Sequence, residues 1–129
     1  MRKNKISIII SKSINEVFEF TTNPKYTSLW IPSIQEEIAT EYPPKIGTLY
    51  KNHDKNSDWD FYKVLEYEQD KIFFLSDLQE NYQVRYTYKK LNENQTKMEY
   101  FEWMKEGQLK NPFSQNILQN LKETLEKIK

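Results

Sequence analysis

The sequence predicts an α+β domain: a curved antiparallel sheet of about seven strands, in the order β-α-α-β6-α, wrapped around a long C-terminal helix. Three observations carry this. Between Ile34 and Met104 the chain divides into short segments rich in β-branched and aromatic residues, separated by turn residues. No helix-length crossover interrupts those segments, so neighbouring strands run antiparallel. The C-terminal segment carries one apolar stripe at helical spacing and is the only element long enough to cover the sheet's apolar face.

Each element has its own signal. Ile6–Ile10 is β-branched and predicts the first strand. Ser13-Ile14-Asn15-Glu16 has capping-box spacing, with Ile14, Val17 and Phe18 on the buried face of the helix that follows. Asn23-Pro24 supplies an N-cap and a first helical residue for a second short helix, which carries Tyr26, Leu29 and Trp30 and ends at Pro32. Ile34–Thr40 predicts a strand that stops at Tyr42-Pro43-Pro44. Gly47 precedes the strand Thr48–Asn52, and His53–Asp58 reads as a polar hairpin tip. Trp59–Tyr67 and Lys71–Ser76 follow as strands. Tyr82–Tyr88 shows the clearest alternation, four apolar or aromatic residues against three polar ones. Leu91–Gln95 turns the chain into Thr96–Met104. There the phase of Met98 and Tyr100 slips at Phe101, which predicts a bulge. Asn111-Pro112 repeats the N-cap signal and opens the last helix, with Phe113, Ile117, Leu118, Leu121, Leu125 and Ile128 on its apolar stripe. Gln119, Lys122, Glu123 and Glu126 face away, and Lys127 and Lys129 fall in the last turn, where the helix dipole favours cations.

The chain has 129 residues, the size of one domain spanning 1–129, and shows no repeat or linker. It has no cysteine, which excludes disulfides, thiol nucleophiles and Cys-based zinc sites and fits the expected cytoplasmic location. The 19 basic and 19 acidic residues are interspersed, without the basic stripe of a nucleic-acid binder. The apolar run Ile6–Ile10 is too short for a signal-peptide core, and no stretch approaches the roughly 20 apolar residues of a membrane span. A monomer or weak dimer is expected.

The element order resembles the START-like superfamily, also called SRPBCC or Bet v 1-like, and most closely its polyketide-cyclase/dehydrase-type branch. The residues that carry the resemblance are the Ile-rich first strand, Ser13–Phe18, Asn23-Pro24-Lys25-Tyr26, Leu29-Trp30-Ile31-Pro32, Ile46-Gly47-Thr48, the Tyr82–Tyr88 alternation, Thr96 and the C-terminal helix. The resemblance implies a helix-grip fold with a cavity between sheet and C-terminal helix. Members bind lipids, sterols, polyketides or hydroxylated aromatics; some catalyse, some transport, and some act as co-chaperones. No catalytic signature carries over, and fold alone does not choose among these activities.

The residues themselves offer few reagents. His53 is the only histidine and falls in the polar tip, so it reads as an exposed loop residue, and no second His completes a metal site. Asp54, Asn56, Asp58 and Asp60 have the alternate spacing of a calcium loop, but Trp59 stands where the turn Gly belongs and Leu65 where the bidentate Glu belongs. No metal and no cofactor is expected. Of Glu99 and Glu102, the phase of Met98 and Tyr100 turns Glu102 inward, where a buried carboxyl can act as an acid or base. Arg85 lies on the polar phase of its strand.

The aromatic residues are the stronger signal. Trp30, Trp59, Tyr62, Tyr82, Tyr86, Tyr88, Tyr100 and Trp103 are partly ordinary core. A sheet curved around one helix nevertheless leaves a wedge, and tyrosines line such a space with apolar area and orienting hydroxyls. The expected ligand-binding residues are Trp30, Trp59, Tyr62, Tyr86, Tyr100, Glu102 and Leu121, with Trp30 capping one end. The leading expectation is a binder or carrier of a small hydrophobic or amphipathic molecule. An enzyme of cyclase, dehydratase or isomerase type in the same cavity is the alternative, and a protein-interaction module resembling the co-chaperone members is the third.

Overall fold

The computed structural model describes residues 1–128; Lys129 lies outside the described residues, and with it the expectation that Lys129 belongs to the last helical turn. The strands are β1 (Lys3–Ile10), β2 (Glu36–Ala39), β3 (Leu49–His53), β4 (Asp60–Glu68), β5 (Ile72–Asp77), β6 (Tyr82–Asn92) and β7 (Gln95–Met104). They form one antiparallel sheet in the order β1-β7-β6-β5-β4-β3-β2. Helix α1 (Ile14–Thr22), a 3-10 turn (Pro24–Tyr26) and α2 (Thr27–Trp30) carry the chain from one sheet edge to the other, and α3 (Gln115–Glu126) follows β7. This is the seven-stranded helix-grip arrangement that the patterning predicts.

The apolar stripe of α3 sets the core. Leu118, Leu121 and Leu125 are buried, and Ile117 packs against them half-buried. They meet Val17 and Phe18 of α1 and the inward residues Met98, Tyr100, Tyr86 and Tyr88 of the sheet within one cluster. Helix α3 also protects the free edge of β1. Gln115 Nε2 donates to the Ser7 carbonyl at 2.9 Å, and Lys122 Nζ donates to the Ile9 carbonyl at 3.0 Å. Both satisfy carbonyls that would otherwise be open to strand addition.

Several local expectations are corrected. Ser13 is the N-cap of α1 but makes no capping bond to the backbone; its hydroxyl donates to Glu16 Oε1 at 2.7 Å instead. Asn111-Pro112 does not start α3. The helix begins at Gln115 with Ser114 as N-cap, so Phe113 stands in the preceding connection. Lys127 is the C-cap rather than part of the last turn, and Ile128 is exposed beyond it. The sheet has no bulge at Phe101, where β7 keeps register with both β1 and β6. The extra aromatics of β7 lie on the outer face, where Phe101 and Trp103 pack together under the Arg85 guanidinium. The bulge sits in β4 instead, between Val64 and Glu66. It shifts the phase by one residue, so that Tyr67 pairs with buried Phe73. Gly47, at φ +95°, adopts a backbone conformation that favours glycine and donates its N–H to the Val64 carbonyl at 2.8 Å.

Candidate functional site

Between α2 and the concave face of the sheet lies a cavity of about 90 Å³. Its inner wall is built by period-two alternation: Tyr86 of β6 lies opposite Tyr100 of β7, and Phe73 of β5 lies opposite Tyr86. The rings meet edge to face, Tyr86 with Tyr100 at 5.3 Å and 87°. Trp30, the last residue of α2, stands edge-on to Tyr86 at 6.4 Å and to Phe113 at 6.2 Å. Phe113 stacks on Tyr100 at 4.1 Å and 6°. Part-exposed Ile34, Asn52, Tyr62, Tyr82 and Phe113 also line the cavity and form its solvent side.

Of the seven residues expected to bind a ligand, the structure brings Trp30, Tyr62, Tyr86 and Tyr100 onto this wall. Glu102 lies behind it, under Phe113, and faces a second, shallower depression with Tyr62 and Tyr82. Leu121 is buried in the α3 core and does not reach the cavity lining. Trp59 stands apart, just before β4. It packs on His53 at 4.4 Å with Lys51 Nζ 4.5 Å over its ring, outside the cavity.

Polar groups around the cavity fall into two kinds. The first is satisfied. The carboxylate of Glu102, 1% exposed, accepts four hydrogen bonds. Oε1 takes Tyr82 at 2.6 Å and Tyr100 at 3.4 Å; Oε2 takes Asn4 Nδ2 at 2.8 Å and the Phe113 backbone N–H at 2.6 Å. Asn4 also donates to the Phe113 carbonyl at 2.9 Å. Glu102 therefore holds Phe113 against Tyr100. With its lone pairs committed to those donors, it is poorly placed to exchange protons with a ligand.

The second kind is unsatisfied. Trp30 is 1% exposed, yet its Nε1–H is buried with no hydrogen-bond partner among the described residues. Burial pushes the pKa of Tyr86 well above the usual tyrosine value. Burial raises Tyr62 to about 12 as well. An unmet buried donor costs about 1–3 kcal/mol, which an incoming acceptor would relieve.

Sequence reasoning missed three residues here: Glu37, Asn52 and Phe113. Glu37 of β2 lies on the cavity wall. Thr27 Oγ1 donates to its Oε1 at 2.6 Å and Asn52 Nδ2 to its Oε2 at 3.0 Å. Burial pushes its carboxyl pKa above the usual glutamate value, and those two bonds partly oppose the rise. The clue lay in β2, where the two phases compete. Ile38 points outward, 41% exposed, because small Ala39 lies opposite buried Tyr50 and so fixes Glu37, opposite Asn52, on the inner face. Phe113 escaped notice because it was counted on the helix stripe.

Elsewhere the candidates are structural. Asp54 Oδ1 accepts from the Asn56 N–H at 2.8 Å and from Ser57 Oγ at 2.7 Å, closing a tight turn. His53 ends β3, with Nδ1 2.7 Å from the Asp54 carbonyl, the main cause of its raised pKa. Among the described residues no helix is long and apolar enough to cross a membrane. On the outer face of β2, β3 and β4, half-exposed Ile38, Leu49 and Phe61 form a shallow apolar groove.

Against this geometry, no protein-family profile matches the sequence, and no curated protein matches it. Solved structures do match the fold. A START superfamily protein from Mycobacterium smegmatis superposes with TM-score 0.68 at 14% identity, over 98% of this chain and 90% of that one. This chain has the START-like helix-grip fold. The START-like arrangement recurs in XoxI from Bacillus cereus, with TM-score 0.73, 14% identity and coverage of 98% and 96%. It recurs again in the Aha1 dimer from Colwellia psychrerythraea, with TM-score 0.70, 15% identity and coverage of 98% and 97%. Identities at this level speak for the fold alone.

Proposed function

We propose that this protein binds a small hydrophobic or amphipathic molecule in the cavity between α2, the sheet and Phe113. One observation carries the reading: an aromatic-walled cavity is lined by Trp30, whose buried Nε1–H has no hydrogen-bond partner among the described residues. Binding sites combine mostly apolar walls with a few placed polar groups, and this cavity has that composition. At about 90 Å³ it suits a compact molecule far better than a long lipid chain.

Native mass spectrometry tests the proposal. Protein purified without denaturant should carry an adduct that disappears after unfolding and refolding, and re-addition of the extracted compound should raise the melting temperature. A bare mass before refolding, with no thermal shift across a panel of small aromatic and aliphatic compounds, overturns it.

The enzymatic alternative rests on Glu37 rather than Glu102. Glu37 lies on the cavity wall with a raised carboxyl pKa, the condition a general acid needs near neutral pH. Turnover of a bound carbonyl compound that is lost in Glu37→Gln would favour this reading over simple carriage.

A further inference from the structure

The charge balance of the cavity goes further. Among the described residues, Glu37 is the only ionisable acid or base other than tyrosine on its wall, and no lysine, arginine or histidine lines it. None of the ion pairs among the described residues includes Glu37. Its two hydrogen bonds come from a hydroxyl and an amide, both neutral. The carboxylate is half-buried, with two neutral donors and no counter-charge, a situation proteins often resolve by pairing.

The rest of the wall is suited to a cation. Trp30, Tyr62, Phe73, Tyr86, Tyr100 and Phe113 place aromatic rings around the same space. Aromatic faces attract cations through the ring quadrupole, and the attraction grows as water is excluded. Glu37 brings a carboxylate to this wall, and no basic side chain among the described residues lines it. An anionic ligand would meet the Glu37 carboxylate and, among the described residues, no cation on the wall.

We infer that the cavity takes a small organic cation, an alkylammonium compound, with Glu37 as its counter-ion and the aromatic wall around its charged group. The inference rests on the binding reading above and narrows it to a charge class. A ligand of this kind supplies the missing counter-charge of Glu37. It also explains why a pocket otherwise made of rings keeps one acidic side chain on its wall, where a glutamine could accept from Asn52 and donate to the Thr27 hydroxyl without the desolvation cost of a charge.

The test uses a matched pair of probes, choline and its uncharged carbon isostere 3,3-dimethylbutan-1-ol, each titrated into the full-length protein. The three indole N–H resonances are followed by NMR, with the Trp30 signal assigned through Trp30→Phe. Choline should perturb the Trp30 signal and bind at least ten-fold more tightly than the isostere, and Glu37→Gln should reduce that preference to near parity. The wild-type comparison does not depend on Glu37→Gln, so it stands even if that variant folds poorly. Equal binding of the two probes overturns the cation assignment while leaving the binding reading intact. Choline binding that is unchanged in a folded Glu37→Gln protein overturns the role of Glu37. If neither probe nor any neutral compound of the earlier panel perturbs Trp30, the binding reading falls and this inference with it.

Discussion

Two carboxylates flank the same cavity and are treated in opposite ways. Glu102 is reached by four donors, one of them a backbone N–H and one a side chain from the opposite end of the chain. Glu37 is reached by two neutral side chains, from a short helix and an edge-proximal strand. The first group ties together β1, β6, β7 and the segment leading to α3. The second joins only its own neighbourhood. A buried charge saturated with donors is a structural tie, whereas one left with spare capacity beside a cavity can serve a ligand.

Four substitutions break or sharpen that contrast. Leu121→Ala sets the scale, because its site is fully buried and involves no polar group; urea denaturation should show a loss of about 4 kcal/mol, within the usual range for a core leucine. Glu102→Ala should come next. It orphans the Asn4 amide, the Phe113 N–H and the Tyr82 hydroxyl, at roughly 1 kcal/mol each, for a total of about 3 kcal/mol. A loss well under 1 kcal/mol in the same denaturation series would mean that Glu102 is no tie.

Glu37→Gln should act with the opposite sign. The folded state raises the carboxyl pKa above the unfolded value near 4.5, so between the two values the native protein binds more protons than the unfolded chain. Stability contributed by the protonated carboxyl is present below the unfolded pKa and is lost as pH rises through the folded one. The glutamine variant keeps a neutral group at every pH. Its melting temperature should exceed that of the wild type at pH 7 and approach it near pH 4.5. A variant that melts lower than wild type at pH 7 would show that Glu37 is a second structural tie. The smallest effect belongs to Tyr86→Phe. Removing one hydroxyl should move stability by no more than about 0.5 kcal/mol, while an oxygen-bearing ligand should bind about five-fold more weakly in calorimetry.

The fold was legible because its signals are long and repeated. The Tyr82–Tyr88 alternation and the α3 stripe each involve several residues that agree on one face, and β6 and α3 form there, although Phe113 and Ile128 of the stripe fall outside the helix. Signals resting on a single pair of residues fared worse. Asn111-Pro112 has the chemistry of a helix start, but Phe113 is drawn onto Tyr100 and held there by Glu102, so the helix waits until Gln115. The cavity's aromatic wall was readable in Tyr86 and Tyr100, which sit in phase on long strands. Glu37 was not, because β2 has only four residues and its outward Ile38 competes with inward Ala39 for the apolar phase. Only the pairing of Ala39 with Tyr50 decides the matter, and that pairing is a tertiary fact. Trp59 stands off this cavity for a related reason: an aromatic at a strand entrance can cover a neighbouring side chain as well as a pocket.

The pairing of β1 with β7, from Lys3 opposite Trp103 to Ile10 opposite Thr96, also governs how the chain must be made. Strand β1 finds its partner only after the intervening strands and β7 have emerged. At roughly 5–20 residues per second that leaves it unpaired for several seconds. During that interval Ile6, Ile8, Ile9 and Ile10 form a β-branched segment of the kind that adds to other chains. Lysines at positions 3, 5 and 12 bracket it, and charges placed there oppose intermolecular stacking before the native partner arrives. Lysines flanking β1 thus suit its wait for β7, independently of anything the finished cavity holds.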